Sequence, residues 1–353
     1  MVRSTVLVVF LGFASGCHRS SSESKAGETQ NATRGDVSPI GSPEPWRWVE
    51  TDGATCSDGS SAGYAISRVP NARQVFIYLA GGGACWSQTT CYEMRSAVHV
   101  DETITADFAI AEAKTLEAYG VVNRAKGAFK DATYVYVPYC TADLHSGATV
   151  AHYDTANPAH VLHHTGSSNM AAFVASWPAA VPEATQVYLV GSSAGGYGAM
   201  LHYERIAKAL PKARVDLLLD GSPPGGPVTD RWEAWKKAWK MQFPEGCGDC
   251  AKGFPAVFDS LTQRHPDRRF ALLGYEQDAV IATFLGLDAT ESKARLDDLL
   301  AKQFASGNTR YFIHEGRGHV MLNRVASTTS HNVSLATWLD AWANGSSSFV
   351  NVR

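Results

Sequence analysis

Residues 187–198 read Val-Tyr-Leu-Val-Gly-Ser-Ser-Ala-Gly-Gly-Tyr-Gly, an apolar strand running straight into Gly-x-Ser-x-Gly and a small-residue helix start. A chain makes that turn only where glycines flank the serine, because a Cβ at Gly191 or Gly195 would strike neighbouring backbone. The pattern predicts strand, strained turn and helix, with Ser193 at the apex and its Oγ lifted clear of the sheet. Such a serine is a candidate nucleophile, and the next backbone N–H, that of Ala194, points to where an oxyanion would form. A plain glycine-rich turn is the alternative. Context favours the nucleophile: Pro182 and Glu183 bound the strand upstream, and residues 197–210 have helix-forming composition until Pro211 stops them.

Other β-rich runs lie at residues 74–79, 133–138, 215–219, 270–273 and 309–313, several of them continuously apolar, as in strands buried on both faces of a parallel sheet. Helical patterns occupy 168–177, 197–210 and 291–304, and 331–342 reads as a closing helix. This alternation predicts an α/β fold, doubly wound, with a mostly parallel sheet and helices on both faces. The chain has 353 residues, of which 45% are hydrophobic and 18% charged, enough for a full core. Its net charge of −3 and the lack of a Lys/Arg cluster exclude a nucleic-acid footprint.

A serine nucleophile needs a base, and the base needs an orienting carboxylate. His319 follows the run 311–313 in a glycine-bearing loop able to bring an imidazole back over the sheet. His314 sits too close to its strand, His265 stands beside Pro266 in a polar turn, and His331 opens the closing helix. For the carboxylate, Asp278 follows 270–273 after a short loop. Asp220, at the end of 215–219, is its rival, although Asp220-Gly221-Ser222-Pro223 reads better as a turn whose carboxylate caps backbone N–H groups; Glu276 is third. The run Gly81-Gly82-Gly83-Ala84 after residues 74–79 offers further oxyanion donors at Gly82, Gly83 or Ala84. It lacks the Gly-Lys-Ser/Thr ending of a phosphate loop and the spacing of a dinucleotide fingerprint. Trp86 and Tyr139 neighbour these loops and are candidate pocket residues, as is Asp220. Trp232, Trp235 and Trp239 lie at helix spacing in 230–240, read as a core-packed amphipathic face, with an acyl- or sugar-binding lid as the alternative.

The N-terminus reads differently. Arg3 precedes an apolar run at 6–13, too short to span a bilayer, followed by Ala14-Ser15-Gly16-Cys17. This resembles a bacterial lipoprotein signal, with residues 1–17 ending at a lipidated Cys17; an ordinary secretory signal is the alternative. Residues 18–45 are polar and Ser/Gly/Pro-rich, read as a flexible tether, and the folded domain is expected at 46–353. Seven cysteines less Cys17 leave six. In an exported chain an even number suggests disulfides. Short spacing favours Cys85–Cys91 and Cys247–Cys250, which leaves Cys56 with Cys140. Cys247-Gly-Asp-Cys250 also has zinc or redox spacing, but no second ligand pair lies nearby.

The motifs Gly81-Gly82-Gly83-Ala84-Cys85-Trp86 with Cys91, Pro138-Tyr139-Cys140-Thr141-Ala142-Asp143-Leu144-His145-Ser146-Gly147, and Gly191-Ser192-Ser193-Ala194-Gly195-Gly196 together resemble the pectin acetylesterase/Notum family of carboxylesterases, within the α/β-hydrolase superfamily. The resemblance implies a Ser193–Asp278–His319 triad, a bridge of the Cys56–Cys140 type and deacylation of an oxygen ester. Ala84 stands where eukaryotic members usually carry a tryptophan. The expected function is a serine carboxylesterase acting on an acylated small molecule or polysaccharide outside the cell, without metal or cofactor, touching a membrane only through the lipid anchor. A lipase or peptidase using the same triad, or a non-catalytic surface binding protein, are the competing readings. Retention of all three triad residues speaks against the last.

Overall fold

Apolar runs buried on both faces pair with one another, and the chain builds its sheet from them. The computed structural model describes residues 39–153, 157, 160–305 and 307–353, and Pro39–Arg353 forms one compact unit. In chain order the elements are β1 (Arg47–Thr55), β2 (Ser61–Ser67), β3 (Gln74–Leu79), α1 (Ala106–Ala118), β4 (Thr133–Val137), β5 (Thr149–Ala151), β6 (Leu162–His164) and α2 (Gly166–Ala180). There follow β7 (Gln186–Ser192), α3 (Ala194–Ala209), β8 (Arg214–Asp220), α4 (Thr229–Trp239), α5 (Phe254–Arg264) and β9 (Phe270–Tyr275). The last are α6 (Ala279–Leu285), α7 (Ala289–Gln303), β10 (Thr309–His314), β11 (Thr329–Ser330), β12 (Val333–Ser334) and α8 (Leu335–Asn344).

Eight strands form the central sheet in the order β1-β2-β4-β3-β7-β8-β9-β10. From β4 to β10 every pairing is parallel; β1 and β2 add an antiparallel hairpin at one edge. Alternate side chains then divide the core. Phe76, Tyr134 and Tyr188 pack with Phe129 and Trp342 on the side of α8, while Phe270 meets Tyr203 of α3 and Phe258 of α5 on the other. At the free edge of β10, the Ile313 N–H donates to the Val352 carbonyl at 2.8 Å and the Val352 N–H to the Tyr311 carbonyl at 2.9 Å.

Several boundaries differ from the sequence expectation. The β1–β2 hairpin was not anticipated, because β1 carries polar residues on its exposed side and lacks an apolar run. The closing helix begins at Leu335 rather than His331. His331 and Asn332 take φ of 47° and 63° in the turn between β11 and β12, and the Ser334 hydroxyl caps the helix by accepting from the Thr337 N–H. The described part of the expected tether is held in place: the Gly41 N–H donates to Pro70 O at 2.8 Å and the Glu44 N–H to Arg68 O at 2.7 Å. The folded region therefore starts a few residues before Trp46. The signal segment 1–17, lipidation at Cys17 and residues 18–38 of the tether lie outside the described residues.

Bridges join Cys56 to Cys140, Cys85 to Cys91 and Cys247 to Cys250. Cys247 and Cys250 thus leave no thiolates for zinc. The α4 tryptophans Trp232, Trp235 and Trp239 are all buried, as a core-packed face requires. Among the described residues no helix is long and apolar enough to cross a membrane.

Candidate active site

β7 ends in the turn that the glycine spacing predicts. Ser193 has φ 54° and ψ −124° and is the N-cap of α3, a left-handed geometry that costs about 1–3 kcal/mol for a non-glycine residue. The surroundings enforce it. A Cβ on Gly191 would lie 2.1 Å from Gly195 O, and one on Gly195 would lie 2.0 Å from Leu79 O. The Ser193 N–H donates to Asp220 O at 2.8 Å. Ser222, which no sequence pattern singled out, donates its hydroxyl to Ser193 O at 2.7 Å and packs where a Cβ on Gly196 would sit.

Parallel pairing of β9 with β10 brings the loops that follow them side by side. There His319 Nδ1 and Asp278 Oδ2 are 2.7 Å apart. With the proton on Nδ1, this bond fixes the imidazole tautomer and leaves Nε2 as the acceptor. The other oxygen of Asp278 accepts from the Val280 and Ile281 N–H groups at 3.1 and 3.0 Å, so the same carboxylate caps α6. His319 Cε1 lies against Gly221, in the turn that follows β8 beside the serine elbow.

Asp220 is placed differently from a pocket residue. It is fully buried, and accepts from Ser192 Oγ at 2.7 Å, from the Met321 N–H at 2.7 Å and from the Leu322 N–H at 3.1 Å. Burial pushes its carboxyl up to about 6, against the opposing pull of these donors. It therefore lines no substrate surface; it holds the segment after His319, where Val320 has φ 54°, a severe strain for a β-branched residue. Tyr139 is likewise corrected. It is 1% exposed, and its hydroxyl accepts from the Leu144 N–H at 2.9 Å beneath the glycine loop. Trp86 is half-buried and stands edge-on to Trp235, ring centres 5.6 Å apart.

The glycine loop covers the elbow closely: a Cβ on Gly81 would lie 2.8 Å from Ser193 Cβ. The Ala84 N–H donates to Ser96 O at 3.2 Å, which removes Ala84 from the oxyanion candidates. Among the described residues the Gly82 and Gly83 N–H groups meet no protein acceptor, and the Ala194 N–H is one of the unpaired donors opening α3. The loop has a support that the sequence did not reveal. His145 Nε2–H donates to Ala80 O at 2.9 Å, and the ring packs where a Cβ on Gly198 would sit. Burial lowers His145 to about 4, so it is neutral near pH 7. Asp143 pins the next segment by accepting from Thr141 Oγ1 at 2.6 Å and from the Gly147 and Gly166 N–H groups at 3.0 and 2.8 Å.

A cavity beside Ser193 has about 20 Å³ open to the centre of a water molecule, walled by Gly83, Tyr197, Trp235, Ile281, Phe284 and Leu285 among others. It has room for one or two waters. Its walls are apolar, so it suits a methyl group better than a polar one.

The pectinacetylesterase family model matches residues 47–223, from the edge hairpin through the serine elbow to the turn after β8. The chain belongs to the pectinacetylesterase family. Relatives of this family member include the palmitoleoyl-protein carboxylesterase NOTUM of Schmidtea mediterranea, 30% identical over 44% of this chain and 29% of the relative. The Drosophila melanogaster protein of that name is 27% identical over 57% and 32%, and the Homo sapiens one 26% identical over 45% and 31%. The matches thus span about a third of these relatives' length. The solved structure of the Wnt deacylase Notum from Drosophila shares the family member's fold, with a TM-score of 0.61 at 18% identity over 86% of this chain and 94% of that one.

Proposed function

We propose that the chain is a serine esterase that removes a small acyl group, acetyl in size, from an alcohol oxygen. The observation that carries this is the imidazole–carboxylate pair of His319 and Asp278, 2.7 Å apart, beside a serine held at a strained elbow. In this reading His319 Nε2 takes the Ser193 proton as Oγ attacks the ester carbonyl. The N–H groups of Gly82, Gly83 and Ala194 stabilise the oxyanion. His319 then returns the proton to the departing alcohol oxygen, and water cleaves the acyl-enzyme by the same route. Asp278 holds the imidazole and stabilises its charged form.

The small acyl group is supported by the cavity beside Ser193, since about 20 Å³ leaves no space for a long chain. The Notum relatives are named for a palmitoleoyl group, whereas here Phe284 and Trp235 wall the small cavity beside Ser193. The three disulfides favour an oxidising compartment outside the cytoplasm. Export under the lipoprotein-type leader, with the anchor at Cys17, completes the reading.

The test is hydrolysis of p-nitrophenyl acetate by the full-length protein. Ser193→Ala is expected to lower kcat by at least about 10³-fold with an unchanged melting temperature. Turnover equal to that of the unaltered protein would remove Ser193 from the mechanism.

A further inference from the structure

Glycines in a row carry no side chain by which a fold could hold them, so the orientation of their N–H groups has to be imposed from outside. The holding points of Gly81-Gly82-Gly83 are few. The Ala80 N–H donates to Val137 O at 3.0 Å before the run, the Val98 N–H to Gly82 O at 2.9 Å within it, and the Ala84 N–H to Ser96 O after it. Among the described residues a single side chain hydrogen-bonds residues 80–83: His145, whose Nε2–H donates to Ala80 O at 2.9 Å. Ala80 O shares its peptide unit with the Gly81 N–H, and that unit lies on the serine elbow. A Cβ on Gly195 would stand 2.6 Å from Ala80 O, and one on Gly81 would stand 3.1 Å from Ala194 N.

We propose that His145 is a positioning residue for the oxyanion hole, aligning the Gly82 and Gly83 N–H groups through the Ala80–Gly81 peptide, a role that rests on the esterase reading. Much of the local fold is arranged around this one ring. Ala142, Leu144 and His145 all have φ 56°, so three non-glycine residues enter the left-handed region to bring the imidazole beneath the loop. Gly198 of α3 leaves space for the ring, since a Cβ there would lie 2.7 Å from His145 Cδ2. Gly166 at the start of α2 does the same for the backbone, at 2.5 Å from His145 Cα. Tyr139 stands against the ring, centres 4.9 Å apart, and also against Gly82, whose Cβ would lie 2.9 Å from Tyr139 Cδ1.

The ring is itself secured from α3. His145 O accepts from His202 Nε2–H at 2.6 Å, and Arg205 donates to His202 Nδ1 at 2.8 Å. A guanidinium can only donate, so it keeps the His202 proton on Nε2; the Ala80 carbonyl, which can only accept, keeps that of His145 on Nε2 likewise. Arg205, His202 and His145 thus form one series of hydrogen bonds that ends at the oxyanion loop.

Steady-state hydrolysis of p-nitrophenyl acetate by the full-length protein tests this with two variants of one position. His145→Gln keeps an N–H donor at about the reach of the imidazole Nε2, and His145→Met keeps the length without the donor. His145→Met is expected to lower kcat by about 10²-fold with KM within about threefold, and His145→Gln to recover about tenfold of that loss. Inhibition by trifluoroacetone reads the same site without turnover. Ser193 Oγ adds to its carbonyl carbon, the Oγ proton passes to His319 and the carbonyl oxygen becomes the oxyanion, so Ki is expected to rise in His145→Met as kcat falls, and to recover in His145→Gln. A residue that only packs would lower the melting temperature and leave kcat and Ki in place, and that result overturns the proposal. An equal loss in both variants at unchanged melting temperature overturns it too. If His145→Met fails to fold, Arg205→Met takes its place: His202 loses the partner that fixes its tautomer, kcat is expected to fall about fivefold at constant KM, and an unchanged kcat overturns the proposal. Turnover that survives Ser193→Ala would instead strike the esterase reading and this role with it, whereas loss in Ser193→Ala but not in His145→Met strikes the role alone.

Discussion

Asp220 ends β8 and Asp278 follows its parallel neighbour β9, and both are buried, yet Asp278 meets an imidazole and Asp220 meets N–H and O–H donors. Exchanging each carboxylate for an amide separates these roles. Asp278→Asn is expected to lower kcat on p-nitrophenyl acetate by about 10³- to 10⁴-fold with little change in melting, because the imidazole then loses its correct tautomer. Whichever way its amide sits, Asp220→Asn turns an NH₂ toward a backbone N–H, that of Met321 or that of Leu322, which cannot accept. It is expected to cost about 2–4 kcal/mol of stability, read from urea midpoints, with a smaller loss of kcat. The larger kcat loss in Asp220→Asn at full stability would reverse the assignment. That Asp278 and His319 would meet was legible, since each follows a strand by a short loop and parallel neighbours end side by side. The burial of Tyr139 and Asp220 was not, because it depends on loops far away in sequence, such as Met321 and Leu322 for Asp220.

The short helix α6 joins two tasks. Asp278 caps its start, and Phe284 near its end walls the cavity beside Ser193. Arg231 of α4 fixes the far end by donating to Phe284 O at 2.8 Å. A further cavity shares Ile281 and Leu285 as walls, so the helix lines both. Phe284→Ala is expected to raise kcat/KM for p-nitrophenyl octanoate relative to acetate by about tenfold, the worth of a few buried methylenes. An unchanged ratio would show that something other than this side chain limits the acyl group. The helix was not legible in the sequence: Ala279–Leu285 is a short, mostly apolar run without a polar face, so no 3.6-residue period emerges. The apolar runs inside β3 and β7 and the Leu217–Leu219 run of β8 were legible for the complementary reason, their burial on both faces.

Whole-chain stability responds to acid through buried groups of opposite sign. Burial lowers His145 and His164 to about 4 and His202 to about 3, below the unfolded value of about 6.5. Their contribution is present above about pH 6.5 and is lost as pH falls. Burial pushes Asp143 and Asp220 up to about 6, so their contribution runs the other way, present below about 4 and lost as pH rises through about 6. Three histidines outweigh two carboxyls, leaving a net uptake of about one proton on unfolding near pH 5. Unfolding free energy from urea titrations is expected to rise by about 1 kcal/mol per pH unit between pH 4.5 and 6, and a fall over that range would contradict the balance. The bridges also differ in weight. Cys56–Cys140 closes a separation of 84 residues and Cys85–Cys91 one of 6. Replacing the first pair by serines is expected to cost about 4–5 kcal/mol and the second about 2 kcal/mol, in shifts of the urea midpoint. Cysteine spacing made the short bridges readable and so left Cys56 with Cys140, the bridge that ties the β1–β2 hairpin, which no apolar run announced, to the segment after β4. Finally, the pairing of Val352 with β10 bears on how the molecule is made. Residues 350–353 follow every strand of the sheet, so while the chain emerges from the ribosome β10 offers unpaired N–H and C=O groups to any neighbouring nascent chain. Ladder closure by Val352 removes that template, so a protein cut before residue 350 would carry an adhesive edge.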